Sequence, residues 1–260
     1  MHIVSYDGSF EGLLTAIFEI YEYKITDPMI CPADAAPGSL FGGLHAVQTN
    51  QAKSDRIYKK MKEKMSGNSL GQFYKTFLSG EKGMEDILYR YFVYVLSSKT
   101  AVDNDFSNPD VLYVQQMSRK VHREKHRMEA FVRFQLTGDG LYYALIQPDF
   151  NVLPLISSHF EKRYADQRWL IYDTSRNYGL YYDLERVDEV NINFDVDLGS
   201  EHALKGIYDE KETLYQHLWQ QYFQSVNIKA RKNTKLHIQH MPRRYWKYLV
   251  EKHVPIRGGQ

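Results

Sequence analysis

The stretch AFVRFQLTGDGLYYALIQ, residues 130–147, decides the fold class that we predict for this chain. Between residues 130 and 136 apolar side chains recur at every second position, which predicts a strand because successive side chains point to opposite faces. Gly138-Asp139-Gly140 predicts a turn, and residues 141–147 predict the returning strand of a hairpin. The preceding residues follow the helical period instead. This change of period predicts an α+β protein.

The part before residue 128 is predicted to be mainly helical. Residues 2–6 predict a strand, and Ser9 can cap a helix that follows the Asp7-Gly8 turn. A connection rich in Pro and Ala spans residues 27–38. Four further helices are predicted at residues 50–65, 69–79, 83–98 and 108–127.

The part after the hairpin predicts a helix and three strands, so that the middle of the chain reads ββαβββ. These elements are the helix at 153–164 and strands at 168–173, 178–183 and 187–194. We predict a mostly antiparallel sheet with the helix packed on one face, followed by helices at 208–225 and 243–252. We treat residues 1–260 as one continuous unit with three parts: a mainly helical part (1–127), a sheet part (128–200) and a basic C-terminal helical part (201–260).

The composition is that of an ordinary globular protein, with 43% hydrophobic and 25% charged residues among 260. The 21 tyrosines suit either half-buried sheet faces or a surface that stacks on bases. Cys31 is alone, which excludes an internal disulfide or a four-cysteine zinc site and favours a reducing, cytoplasmic location. No secretion signal and no long apolar run is present, so we expect no membrane partner.

Charge is distributed unevenly along the chain. Residues 183–212 contain ten acidic and three basic residues, a net charge of −7. Residues 225–260 contain nine Lys and Arg and one Glu, a net charge of +8. Only the C-terminal part therefore has the charge expected of a phosphate-binding surface.

The segment VHREKHRM, residues 121–128, is the first candidate site. His122 and His126 share a helical face and could bind a metal with His159 or Asp173, although we assign no metal. A second interpretation makes Glu124 or His126 a general acid or base. A third makes Arg127 and Arg133 a clamp for phosphate or carboxylate. The alternative is a helix end with solvated charges.

The second candidate combines the helix at 153–164 with the strand after it. His159 and Arg163 share a face of the helix, and Asp173 ends the strand. Asp173 either belongs to a functional site or forms a salt bridge with Arg163 or Arg176 that holds the sheet together.

The third candidate is the C-terminal segment RRYWKY, residues 243–248, together with basic residues upstream of it. Cations interleaved with aromatic rings suit a surface that neutralises phosphates and stacks on bases. A solvated cationic face that compensates the acidic residues 183–212 is equally compatible with the pattern. Phosphate-binding loops, dinucleotide fingerprints and the GxSxG nucleophile motif are missing from the sequence.

Long motifs along the chain resemble an uncharacterised bacterial family that is assigned to DNA repair or DNA metabolism. These motifs are YDGSFEGLL (6–14), EKHRMEAFVRF (124–134), NVLPLISSHFEKRY (151–164), WLIYD (169–173), RNYGLYYD (176–183), LWQQYF (218–223) and MPRRYWKYLVE (241–251). The resemblance implies a radical-SAM partner protein, which members are encoded beside. Some members are fused to a uracil-DNA-glycosylase-like domain. An iron–sulfur cluster and S-adenosylmethionine are therefore expected only through the partner.

Our first functional hypothesis is an accessory protein of DNA repair that binds nucleic acid. The residues assigned to phosphate or nucleic-acid binding are Arg127, Arg133, Arg163, Arg176, Lys229, Arg231, Lys232, Lys235, Arg243, Arg244, Trp246 and Lys247. The alternative is an enzyme acting on a damaged base or nucleotide by acid–base chemistry of His122, Glu124, His126, His159 and Asp173. A second alternative is a protein-binding subunit without nucleic-acid contact.

Overall fold

A computed structural model describes residues 2–36, 43–138, 140–191 and 241–249 of this α+β chain. The chain divides into two compact units, Met1–His122 and Arg123–Gln260. Helix α5 (Pro109–Phe131) contains the boundary between them. Among the described residues, none of the helices combines the length and the apolar character that crossing a membrane requires.

The first unit contains a parallel sheet of three short strands in the order β2-β1-β3. Strand β1 (His2–Tyr6) pairs with β2 (Pro28–Pro32) on one side and β3 (Gly43–Ala46) on the other. Helix α1 (Phe10–Glu22) follows β1 directly. The Ser9 hydroxyl accepts a hydrogen bond from the Gly12 backbone N–H at 2.9 Å, which caps the helix as predicted.

Three further helices of the first unit confirm the predicted helical part. They are α2 (Gln51–Lys64), α3 (Gly67–Phe77) and α4 (Met84–Ser97). Asn50 and Ser66 cap α2 and α3 through their side-chain oxygens. The core of this unit is formed by apolar side chains of β1 and the helices, including Leu13, Ile17, Phe73, Leu88 and Phe92. Each such side chain contributes about 1.5–3 kcal/mol when it is fully buried.

The second unit contains the predicted, mostly antiparallel sheet. Its five strands follow one another in chain order. They are β4 (Gln135–Leu136), β5 (Tyr142–Ile146), β6 (Trp169–Asp173), β7 (Tyr178–Tyr182) and β8 (Val187–Val190). Only β5 and β6 are parallel, and helix α6 (Leu153–Arg163) connects them. Trp169 is fully buried between the rings of Phe160 and Tyr182.

Three predicted elements differ from the structure. The connection at 27–38 contains strand β2, because residues 28–32 pair in parallel with β1. The strand predicted at 130–136 is shorter, because α5 continues to Phe131 and only residues 135 and 136 pair with β5. Arg133 therefore lies in the connection between them.

The predicted α-helix at 243–252 is a 3-10 helix over Arg243–Tyr248, called the basic 3-10 helix below. The predicted helix at 208–225 and the last residues of the strand at 187–194 lie outside the described residues.

Candidate functional site

The carboxyl ends of β5 and β6 lie side by side in the second unit, with Ile146 opposite Asp173. The Thr174 backbone N–H donates to the Ile146 carbonyl at 3.0 Å, which continues the pairing beyond the strands. The loops that follow two parallel strands gather at one edge of the sheet, where ligands of open α/β sheets bind. This edge is the candidate site.

Glu124 on α5 lies at the centre of this edge, and only 1% of its surface is exposed. Its Oε1 accepts hydrogen bonds from the Asp149 backbone N–H at 2.9 Å and from the Tyr245 hydroxyl at 2.5 Å. Its Oε2 accepts from Arg244 at 3.1 Å and from Arg127 at 3.4 Å. A buried carboxylate requires such donors, because desolvation otherwise penalises its charge.

Arg244 connects Glu124 to a second carboxylate, that of Asp149. Its Nη2 lies 2.6 Å from Asp149 Oδ2, and its guanidinium lies 4.5 Å from the centre of the Tyr245 ring. Burial raises the pKa of the Asp149 carboxyl, and the charge of Glu124 raises it further. Two carboxylates thus share the charge of Arg244. Glu124, Arg127, Asp149, Arg244 and Tyr245 are called the Glu124 network below.

Asp173 at the end of β6 forms a second buried ion pair. Its Oδ1 accepts from the backbone N–H groups of Ser175 and Arg176 at 2.9 and 3.3 Å. Its Oδ2 accepts from Arg176 Nη1 at 2.8 Å. Arg176 also donates to the carbonyl oxygens of Pro148 at 3.2 Å and Asp149 at 2.9 Å. Arg176 therefore ties the loop after β6 to the loop after β5, as the salt-bridge alternative for this pair predicts.

The basic 3-10 helix carries two cations outside the Glu124 network, Arg243 and Lys247. Arg243 lies over the Trp246 indole at 5.7 Å, and Lys247 lies over the Tyr248 ring at 4.7 Å. Both cations are exposed, whereas both rings are half-buried. Lys247 Nζ also donates to Gln147 Oε1, and the Tyr248 hydroxyl lies 3.1 Å from Thr174 Oγ1. The helix thus displays alternating cations and aromatic rings at the carboxyl ends of β5 and β6.

The candidate acid–base residues are not gathered in one place. Glu124 and Asp173 belong to the buried networks just described. His126 and His159 instead lie beside Glu129, with Nδ1 atoms 3.2 and 3.7 Å from its carboxylate. Glu124 and His126 are two positions apart on α5 and so point to different sides of the helix. His122 is exposed on the same helix.

The acid–base hypothesis needs an enclosed pocket, and the cavity beside the Glu124 network is very small. It measures about 10 Å³ and is lined by residues that include Met128, Ile146 and Tyr245. Such a volume is comparable with a single water molecule. Among the described residues, no three His, Cys, Asp or Glu side chains are arranged to hold a metal ion. The enzymatic alternative stays a hypothesis.

Two of the remaining phosphate-binding candidates, Arg133 and Arg163, lie within the described residues. Arg133 donates to the carbonyl oxygens of Ala130 and Val132 at 2.8 and 3.2 Å and so binds its own connection. Arg163 ends α6 near the start of β6, which is the opposite edge of the sheet. The candidates outside the described residues are Lys229, Arg231, Lys232 and Lys235.

Three residues of this edge are missing from the sequence prediction. Asp149, Gln147 and Thr174 all make contacts that shape it. A usable signal exists for Asp149, because it follows the predicted returning strand of the hairpin by two residues. Tyr245 lies within the predicted segment RRYWKY, but its contact with Glu124 has no local signal because the two residues lie far apart along the chain.

The fold and this edge define an α+β protein whose mixed sheet carries a basic, aromatic segment at the ends of its two parallel strands. The chain belongs to the family described as a domain of unknown function, DUF4130, whose model matches residues 82–251. The match includes every described strand of the second unit, together with the basic 3-10 helix. Comparison with curated proteins and comparison with solved structures both gave no match.

Proposed function

We propose that this protein binds nucleic acid through the basic 3-10 helix and acts as an accessory protein of DNA repair beside a radical-SAM partner. The repair role and the partner rest on the resemblance of the chain's motifs to a bacterial family. The binding surface rests on one observation, the display of Arg243, Trp246 and Lys247 at the carboxyl ends of β5 and β6.

The contacts of the basic 3-10 helix divide its residues into two groups. Arg244 and Tyr245 bind Glu124 and hold the helix there, although 40% of the Arg244 side chain is exposed. Arg243 and Lys247 are exposed and lie outside the Glu124 network. Among the residues that the structure describes, Arg243 makes no ion pair, and its guanidinium lies over the Trp246 ring. Phosphate contact is therefore assigned to Arg243 and Lys247, whereas Arg244 holds the surface in place.

Aromatic rings beside exposed cations suit nucleic acid for two reasons. Cations that neutralise phosphates release counterions, which makes binding favourable at low salt. Rings next to the backbone path can stack on bases, which contributes about 1–3 kcal/mol per base. Trp246 lies close to Arg243 and Tyr248 lies close to Lys247, so that both supply such rings.

The decisive experiment is the salt dependence of DNA binding by a charge-reversed variant. Fluorescence anisotropy with labelled single-stranded and duplex oligonucleotides gives the dissociation constant at several salt concentrations. Arg243→Glu combined with Lys247→Glu removes two phosphate contacts. The slope of log K against log salt should therefore fall by about 2, and affinity at low salt by at least about tenfold.

The matched control reverses two cations at the opposite edge of the same sheet. Lys162 and Arg186 are both exposed, and Tyr182, which precedes the loop carrying Arg186, pairs with Trp169 at the start of β6. Lys162→Glu with Arg186→Glu changes the net charge by the same amount and should leave binding nearly unchanged. Equal loss in both double variants would show that net charge alone drives binding and would refute the assigned surface.

The partnership with a radical-SAM protein needs its own test, because it rests on the family resemblance and not on the contacts described above. A radical-SAM protein encoded beside a member of the family is co-expressed with a tagged member. Stable co-purification and a ratio near one to one support the partnership. A tagged member that purifies alone, while the partner is folded and present, contradicts it and leaves the DNA-binding proposal untouched.

A further inference from the structure

A groove with a volume of about 440 Å³ lies on the first unit between helices α1, α2 and α4. Its apolar lining consists of Phe18 and Tyr21 from α1, Ile57 from α2, and Phe92 and Leu96 from α4. Three helices thus contribute to one depression with an apolar lining. Such a lining can accept the side chains of another helix, which project at intervals of three and four residues.

Tyr21 is an aromatic residue of the groove lining that stays exposed to solvent. Its side chain is 45% exposed, although its ring packs edge-on against Phe92 at 6.4 Å and near Tyr89 at 6.3 Å. Large apolar side chains that stay exposed in a depression gain free energy when a partner covers them. An occupant with its own apolar side chains would therefore be favoured here.

The α2 side of the groove carries two basic side chains, Arg56 and Lys60. They belong to a basic helix, because residues 51–64 contain six Lys and Arg against Asp55 and Glu63, a net charge of +4. The Arg56 guanidinium lies 4.8 Å from the centre of the Phe18 ring, and within the described ranges Arg56 makes no ion pair. Lys60, one turn further along, pairs with Glu63 on the same helix at 2.9 Å. An occupant with carboxylates would complement this side, with Arg56 as the main partner.

The α1 side carries the opposite charge. Glu22 lines the groove, and both Glu19 and Glu22 bind Lys53 at 2.9 and 2.8 Å. A nucleic-acid strand in the groove would bring phosphates close to Glu22, which costs free energy by like-charge repulsion. The two charged sides instead favour an occupant whose carboxylates lie along one side only.

We propose that this groove docks an amphipathic helix of a partner protein, with apolar side chains over Tyr21 and Ile57 and acidic side chains facing Arg56 and Lys60. This site lies in the first unit and is independent of the nucleic-acid surface proposed for the second. Failure of either proposal leaves the other standing.

The test selects peptides against the full chain from a random displayed library of about sixteen residues, which is roughly four helical turns. We expect enriched sequences to combine acidic residues with apolar ones at intervals of three and four. The most enriched peptide is then synthesised and its affinity measured by anisotropy. Arg56→Glu should weaken binding by at least about tenfold, as loss of a complementary charge at an interface does.

Matched variants separate the groove from general effects. Lys64→Glu places the same charge change at the exposed end of α2, outside the groove lining, and should leave peptide affinity within about twofold. Tyr21→Ala should abolish binding, whereas Tyr23→Ala, at a residue that is 56% exposed outside the groove, should not. Thermal melting checks that each variant is folded. If Tyr21→Ala is not folded, Lys60→Glu replaces it as the second groove variant.

Three results would overturn the proposal. The first is a library that yields no acidic amphipathic pattern. The second is equal affinity of the selected peptide for the Arg56→Glu and Lys64→Glu variants. The third is a mixed-sequence single-stranded oligonucleotide that binds the chain and loses that binding only in the groove variants, which would assign the groove to nucleic acid instead.

Discussion

The hydroxyl of Tyr245 donates a hydrogen bond of 2.5 Å to the buried carboxylate of Glu124, although 121 positions separate the two residues. Glu124 receives three further donors, from Arg127, Arg244 and the backbone of Asp149. The buried charge of Glu124 on α5 is thus stabilised by donors from the C-terminal segment 241–249. This contact holds the proposed binding surface at the carboxyl ends of β5 and β6.

Removal of the Tyr245 hydroxyl should destabilise the protein. Tyr245→Phe leaves Glu124 Oε1 with one fewer donor inside the protein, which costs about 1–3 kcal/mol for a bond to a charged group. Urea denaturation measures the difference. Tyr248→Phe serves as the control, because the Tyr248 hydroxyl is half-exposed and should cost less than about 1 kcal/mol. Equal losses would contradict the central position that we assign to Glu124.

Replacement of Arg176 should be among the costliest single changes in the second unit. Arg176→Ala leaves the fully buried carboxylate of Asp173 without its cation and frees two carbonyl oxygens of the neighbouring loop. Breaking a buried pair in this way costs about 3–5 kcal/mol. Arg186→Ala breaks an exposed pair with Asp188 and should have little effect on the same denaturation midpoint.

Two glycines of the first unit should respond oppositely to the same substitution. A Cβ at Gly12 would lie 2.1 Å from Asp7 Oδ1 and 2.9 Å from both Ser9 Oγ and Thr49 Oγ1. Gly12→Ala therefore disrupts the hydrogen bonds at the start of α1 and should cost about 1–3 kcal/mol. A Cβ at Gly71 in α3 would meet nothing within 4 Å. Gly71→Ala should stabilise the helix by about 0.5–1 kcal/mol, and thermal melting of both variants decides.

Glu85 should make stability depend on pH. Burial raises the pKa of this carboxyl above its ordinary value of 4.5, and the charge of Asp86 adds to the increase, while the Tyr6 hydroxyl at 3.3 Å opposes it. The folded state therefore keeps a proton that the unfolded state has released. The resulting stability is complete below pH 4.5 and is lost as pH rises through the higher pKa of the folded state.

Glu85→Gln should remove this dependence, because an amide does not titrate. Urea midpoints between about pH 4 and about pH 8 should then fall less steeply with rising pH than those of the parent chain. Glu81→Gln is the control, since Glu81 is exposed. Parallel curves for the parent and Glu85→Gln would contradict the assignment of the shift to Glu85.

Most of the helices are predictable because their signals are local. Ser9, Asn50 and Ser66 cap α1, α2 and α3, and the apolar period within each helix marks its buried side. Strand β2 is not predictable in this way. Its sequence PMICP has proline at both ends, and only parallel pairing with β1, more than twenty residues earlier, makes it a strand.

The region around Phe131 shows how two periods compete in one sequence. Residues 130–136 alternate as a strand does, yet Val121, Glu124 and Met128 also recur at helical intervals and are buried on α5. The helical stripe determines the structure as far as Phe131. The burial of Glu124 was not predictable, because its donors Arg244 and Tyr245 are brought to it only by the tertiary fold.

The bond between Tyr245 and Glu124 also bears on how this chain can be shortened for laboratory work. A recombinant fragment that stops before Met241 would lack Tyr245, Arg244 and the fully buried Leu249. The carboxylate in α5 would then lose two of its donors and become accessible to solvent. Fragments of the second unit should therefore retain residues up to at least 249.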